Sequence, residues 1–316
     1  MHLRGIGFAS AAALIFGLGV VLARFLGGAI DATLVALLCL GAGGLLLTGW
    51  LALTGTSLFA TLAAFMRRDW LDLVLLAFVG TALPLLCVVV GLPQTSAVTG
   101  GFLLQLNGVA ALLFAVVLLG ERIRFRQGMG IVLLLLGSAL IVLKGGAGGG
   151  LGGGSATGDL LIVIGALGLG FGLIPAKRLA ARADTLPLTA LRLVVGALTV
   201  VPVVAVELIV ARQTGQALLW RPSLATLLWI LPLYIVTNFC LAYLSQQEGL
   251  RLLNAWEVAA INQATPLFTT VFALFILGER MTVVQAIGGL AALVGGLVVS
   301  LPEPRATKAS SAPEQR

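Results

Sequence analysis

The sequence predicts an all-α polytopic membrane protein: ten transmembrane helices set as two inverted five-helix repeats, with both termini cytoplasmic. Three observations predict it. Hydrophobic residues make up 59% of the chain and charged residues only 10%, with a mean hydropathy of +1.12, whereas a globular domain carries about 25% charged residues. The apolar residues gather in ten runs that are apolar all round, most of them long enough to cross a bilayer. The stretch LLGER at Leu118–Arg122 returns as ILGER at Ile276–Arg280, each closing one of those runs.

The first run, 6–26, follows Arg4. A cleaved leader would look similar, but a retained helix is expected because this run has a counterpart in mid-chain. Run 32–53 opens behind Asp31, an N-cap residue type. Residues 54–70 (TGTSLFATLAAFMRRDW) are expected to lie along the interface before run 71–91. Runs 95–119 and 127–144 complete the first unit, residues 1–144, and meet at LLGER. Residues 145–158 (GGAGGGLGGGSATG) form a flexible glycine linker. A phosphate loop is excluded there because no G-K-[ST] follows. Runs 159–180, 186–211, 224–247, 254–278 and 283–301 build the second unit, residues 159–301, and the polar tail 302–316 is expected to be disordered.

The two units repeat. Adding 158 carries Glu121 to Glu279, Gln105 to Gln263, Gly91 to Gly249, and Gly130 and Gly137 to Gly288 and Gly295. Adding 153 carries Gly17, Gly19, Arg24 and Asp31 to Gly170, Gly172, Lys177 and Asp184. Leucines match by chance in such a chain; Gln, Glu and Gly in one register do not. Lys and Arg set membrane orientation. With the N-terminus cytoplasmic, 13 of the 19 basic residues fall inside, 5 outside, and Arg192 within the seventh span. Five spans per unit then turn the second unit upside down, a recurrent plan of secondary transporters with the substrate near the midplane. The outward copy has lost its extra arginines: Arg124 and Arg126 correspond to Thr282 and Val284. The expected location is the cytoplasmic (inner) membrane of a bacterium.

Other functions are harder to build from these residues. The single histidine, His2, excludes a histidine metal cluster or a serine–histidine dyad in the core. Cys39, Cys87 and Cys240 all sit inside apolar runs and read as buried hydrophobes. The net charge of +7 is spread over short loops, which fits topology and not nucleic acid. No carboxylate pair, nucleotide motif or metal set points to an enzyme, and no cofactor is expected.

The pattern LLGERIRFRQGMGIVLLLLG, its second copy ILGERMTVVQAIGGLAALVG, and the preceding TSAVTGG and INQATPLFTTVF segments resemble the EamA family of the drug/metabolite transporter superfamily. The resemblance covers residues 6–301. It implies ten spans as five plus five around a central cavity, and transport of small metabolites, often amino acids moved outward. The chain departs from the family pattern at three points. Phe16 stands where a tryptophan is frequent, Gly108 stands where a fourth-span proline is usual, and the second-span arginine is Cys39 while Arg192 is present in the seventh span.

Gln105 and Gln263 are the first candidates for substrate contact. Each is a mid-span amide, costly unless hydrogen-bonded, and their shared offset places them near a pseudo-two-fold axis. An interhelical bond that only packs the bundle is the alternative. Asn107, Asn262 and Thr265 share these spans, and packing is as good an explanation for each. Pro266 frees a backbone carbonyl and Gly108 permits close approach, so either is a hinge or a kink. Tyr234, Asn238 and Ser245 fall on one face of the eighth span, reading as a wet wall or as helix-pairing contacts. Trp256 is a further candidate for substrate contact, and Glu257 beside it suits proton coupling if partly dry, or is a first-turn acid favoured by the helix dipole. Arg192 would bind a carboxylate or a helix C-terminus. Gly130, Gly137, Gly288 and Gly295 suit close helix packing or a homodimer through the fifth and tenth spans. The acids of the two LGER copies are expected to anchor the turns that follow them.

Together these residues predict a secondary transporter, with a small-molecule substrate and the lipid bilayer as partners. A non-transporting scaffold is the reading from another class, and import of a different solute class is a further alternative.

Overall fold

The computed structural model describes residues 1–26, 29–54, 63, 65, 67–91, 94, 103–104, 106–123, 125–145, 156–215, 218–276 and 283–300. Gln105, Glu279, Arg280, most of the glycine linker and the tail lie outside them. The described residues are helical apart from short connections, with one isolated bridge between Ile30 and Trp220. The helices are α1 (His2–Leu26), α2 (Ala32–Leu53), α3 (Trp70–Gly91), α4 (Leu106–Leu119), α5 (Phe125–Gly145), α6 (Ala156–Ala180), α7 (Thr185–Thr214), α8 (Thr226–Leu252), α9 (Ala255–Ile276) and α10 (Val283–Ser300). Among the described residues, α1, α2, α3, α6, α7, α8 and α9 are long and apolar enough to cross a membrane.

Local chemistry sets several helix ends. Asp31 caps α2 by accepting from the Thr33 N–H at 3.1 Å and the Thr33 hydroxyl at 3.0 Å. Gly120 ends α4 at φ 66° and Gly215 caps α7 at φ 69°, left-handed conformations that glycine adopts without strain. The lipid-facing surface is apolar: Leu45, Trp50, Leu113, Val117, Leu198, Val206, Leu228 and Trp229 are all exposed. A protein in water would not leave such a surface bare.

Two helices depart from α geometry. Leu75–Ala82 of α3 and Ile235–Leu241 of α8 are π-helical, and the Thr81 hydroxyl donates to the Leu76 carbonyl at 2.8 Å. α9 is broken in mid-span into Ala255–Asn262 and Thr265–Ile276. At the break the chain tightens, with Gln263 N donating to Ala260 O at 3.1 Å and Ala264 N to Ile261 O at 3.0 Å. Pro266 follows and has no N–H to give.

α2 packs along α7 and α5 along α10; α1 lies against α8 and α9, and α6 against α3 and α4. The closest approaches use glycine. A Cβ on Gly172 would meet the Gly80 backbone at 2.6 Å, and one on Gly19 would overlap the Asn238 amide. A Cβ on Gly170 would meet Ala110 and Ala111, and one on Gly17 would meet Phe268 and Thr269. The offsets of 153 and 158 carry the first contact of each pair onto the second. Of the two uses expected for the later glycines, close packing is the one seen at Gly130, whose Cβ would meet Gly295 O at 3.0 Å.

One end of the bundle, the end holding His2, is tied by polar contacts. Arg182 pairs with Asp69, Arg178 with Asp72 at 3.4 Å, Arg251 with Asp184 at 3.7 Å, and Thr185 with Glu248.

Candidate functional site

A band of polar side chains crosses the helices on the inner side of that tied end. Arg192 lies seven residues into α7 and Gln263 eight into α9; Gly172 lies eight from the end of α6 and Tyr243 nine from the end of α8. At 1.5 Å per residue these positions share a level about 10–14 Å from the end of the bundle.

Arg192 is only 5% exposed. Its Nε donates to the Thr81 hydroxyl at 2.7 Å and Nη2 to the Gly80 carbonyl at 3.3 Å, while the Tyr243 ring covers its face at 4.1 Å. Both acceptors belong to the π segment of α3. The wider turn frees backbone groups from the α-helical pattern, and π-bulges are frequent at functional sites. Tyr243 is held in turn by Phe16 of α1 and Phe239 of α8, edge to face at 5.6 and 6.0 Å.

Gln263 lies at the break in α9 and donates to Asn107 Oδ1 of α4 at 3.2 Å. Its amide fills the space left by Gly108, where a Cβ would overlap it. The Asn262 carbonyl accepts from the Thr265 hydroxyl at 2.6 Å, and Asn262 Oδ1 is buried without a partner among the described residues. The Trp256 indole N–H is likewise buried and unpartnered among them. Thr269, one turn beyond Thr265, donates to the Gly17 carbonyl at 3.3 Å.

Other candidates lie apart from this band. Asn238 packs on Gly19 and donates to the Ile15 carbonyl at 3.4 Å, a contact between α8 and α1. Tyr234 rests edge to face on Phe239 at 5.6 Å. Glu257 closes the start of α9, accepting from Asn254 N at 2.8 Å and meeting His2 Nε2 at 2.9 Å.

Glu121 is placed differently from expectation. It does not anchor its own turn; its two carboxylate oxygens accept from the N–H groups of Ala255 and Trp256 at 2.9 and 3.0 Å. A helix start presents unsatisfied N–H groups and a partial positive charge, so a carboxylate from the end of α4 caps a helix of the other unit. Beside it, Lys177 of α6 donates to the carbonyls of Leu250, at 2.6 Å, and Leu253 at the end of α8. That is the matching electrostatic pairing at a C-terminus.

A separate groove of about 500 Å³ is lined by Ala42, Leu45, Leu46, Gly49, Trp50 and Leu53 of α2. It is apolar and faces outward, where lipid chains fit, and it carries no polar chemistry.

The model of the EamA-like transporter family matches residues 3–143 and 156–301. The chain belongs to the EamA-like transporter family. It is 25% identical over 237 residues to an uncharacterized transporter of Methanothermobacter thermautotrophicus, covering 75% of this chain and 66% of that one. It is 23% identical over 212 residues to the uncharacterized transporter YyaM of Bacillus subtilis, covering 67% of each. The matches thus span about two thirds of either relative's length. A crystal structure of a protein has the same fold, with a TM-score of 0.78 at 17% identity over 93% of this chain and 95% of that one. EamA proteins are transporters and not enzymes.

The residues that sequence reasoning missed are Gly80, Thr81 and Tyr243 around Arg192. One signal was available: the offset of 158 pairs Gly80 with Asn238, a position already singled out.

Proposed function

We propose that this EamA-like protein is a secondary transporter that moves a small metabolite outward across the cytoplasmic membrane by alternating access of two inverted five-helix halves. The substrate class is amino acids or related amphipathic compounds. The observation that carries the reading is the break in α9 at Gln263, bonded to Asn107 across the two units and level with the buried Arg192. Transporters form midplane sites from such discontinuous helices, whose irregular backbone is tolerated where it borders a site.

The inverted arrangement is supported by the reciprocity of the glycine contacts, Gly80–Gly172 with Asn238–Gly19 and Gly170–Ala110 with Gly17–Phe268. A two-fold axis relating the halves produces contacts in such pairs. In this state the ion pairs and caps of the His2 end are made, which corresponds to a conformation closed on that side. Transport then requires them to break in turn.

Purified protein in liposomes tests the reading. At least one member of a panel of amino acids, nucleosides and amines is expected to exchange faster than in empty vesicles, and Gln263→Leu is expected to slow it. A panel in which no solute crosses faster than in empty vesicles rejects transport. A reporter fused after Arg316 is expected to be cytoplasmic; a reporter on the other side rejects the cytoplasmic placement of the termini.

A further inference from the structure

We infer that the Arg192 guanidinium is the docking point for a single carboxylate on the transported solute. The inference rests on the transporter reading above and deepens it by naming the charged group the site takes.

A guanidinium has five N–H donors and no acceptor. At Arg192 one donor meets the Thr81 hydroxyl and one the Gly80 carbonyl, both neutral. The other three meet no acceptor among the described residues. The acids toward this end of the bundle pair elsewhere: Glu257 with His2, Asp72 with Arg178, Asp69 with Arg182, and Asp184 and Glu248 with Arg251. A full positive charge that is 95% removed from solvent, the complement of its 5% exposure, therefore stands with no counter-charge among the described residues. Buried charges are retained when something pairs with them, and the carboxylate of a solute entering the site would supply that partner.

The surroundings orient the group. Gly80 and Gly172 cross so closely that a Cβ on either would reach the other's backbone at 2.6 Å, which fixes the carbonyl that holds Nη2. The Tyr243 ring, braced by Phe16 and Phe239, fixes the guanidinium plane. A planar, immobilised fork with free N–H groups matches the two oxygens of a carboxylate.

The charge count favours a monoanion. Lys177 and Arg178, the cations in the last turn of α6, are spent on the carbonyls of Leu250 and Leu253 and on Asp72. At the position related by the offset of 153 the chain has Cys39, which is fully buried. The site therefore offers one positive group on one side, with Phe16, Phe239 and Tyr243 next to it. That suits a solute with one carboxylate and an apolar body better than a phosphate dianion or an amine.

The test uses the full chain in detergent and two matched series: isovalerate, isovaleramide and isoamylamine; phenylacetate, phenylacetamide and phenethylamine; with phenyl phosphate added. Ligand-dependent thermal stabilisation reads binding. The acids are expected to bind at least about ten-fold more tightly than their amides, the scale of one charge-assisted hydrogen-bond pair. Arg192→Lys is expected to weaken the acids while keeping their preference, and Arg192→Gln to erase it. The series on the unaltered protein needs no variant to fold. Equal or better binding of the amides, amines or phosphate, no binding of any compound, or an acid preference that survives Arg192→Gln overturns the inference. Liposome exchange with the wider panel keeps the two readings apart. Solute exchange without acid preference leaves the transporter standing and removes the Arg192 assignment. Acid binding without any exchange removes transport.

Discussion

Glu121 gives the most direct test of how the units are held together. Its carboxylate accepts two N–H groups at the start of α9, from Ala255 at 2.9 Å and Trp256 at 3.0 Å. Hydrogen bonds to a charged group are worth about 1.5–3 kcal/mol each, and loss of a capping side chain costs about 0.5–2 kcal/mol. The two bonds share one carboxylate and are not additive, so Glu121→Ala is expected to cost about 2–4 kcal/mol. At roughly 2–4 °C per kcal/mol for a domain of about this size, the melting temperature falls by on the order of 5–10 °C. Glu121→Gln keeps one acceptor and loses the charge, and falls between. The assay is thermal unfolding of the purified protein in detergent, with Arg122→Ala as the control because Arg122 is exposed and forms no part of the cap. Melting of Glu121→Ala at the temperature of Arg122→Ala would refute the cross-unit cap. The offset of 158 relates Ala255 and Trp256 to Ala97 and Val98. Under the inverted repeat, Glu279→Ala is therefore expected to destabilise the protein to a similar degree.

Three further outcomes are expected. Gly80→Ala drives a Cβ to 2.6 Å from the Gly172 backbone, so overpacking of about 1–3 kcal/mol is expected, while Gly49→Ala, with nothing within 4 Å, is expected to be neutral in the same melting assay. Gly120→Ala forces a Cβ into a φ of 66° and is expected to cost about 1–2 kcal/mol, with Gly120→Asn milder. Gln263→Leu removes the bond to Asn107 and is expected to abolish most solute exchange while lowering stability by about 1–3 kcal/mol; full exchange with this variant would remove Gln263 from the path.

The all-helical, membrane-spanning character was legible because membrane helices declare themselves by length and hydropathy. Asp31 and Asp184, paired by the offset of 153, both stand at the N-cap of their helices. What stayed hidden depended on tertiary contact. The π segments have no period of their own in an apolar run, so the four-residue spacing of Tyr234 and Asn238 was read as one α-helical face although π geometry begins at Ile235. Arg192 was visible as an isolated charge, but its partners Gly80 and Thr81 lie more than a hundred residues away and look like ordinary span residues. The LGER acid suggested a local role because its spacing is local. Gly120 turns the chain with φ 66°, and the next residue reaches a helix start 134 positions along.

The residues that pack the bundle and those that mark the candidate path obey different rules. The close-packing contacts come in offset-related pairs, Gly80–Gly172 with Asn238–Gly19 and Gly170–Ala110 with Gly17–Phe268, as expected if packing alone selects them. Not every position near the candidate path does: Gln263 keeps its counterpart Gln105, but Arg192 corresponds to Cys39 and Pro266 to Gly108. Under the proposed inverted repeat, a symmetric frame would rock between two equivalent arrangements, with packing that opens in one half closing in the other. A solute with a charged end and an apolar end is not symmetric, and one arginine suffices to fix which way it lies. Adding a second by Cys39→Arg would give the site two anion points in the proposed repeat, and the carboxylate preference inferred for Arg192 would then extend to dicarboxylates such as succinate. If succinate gains no affinity in a Cys39→Arg protein that still melts cooperatively, the two positions are not equivalent with respect to the solute, and the symmetry ends at the packing.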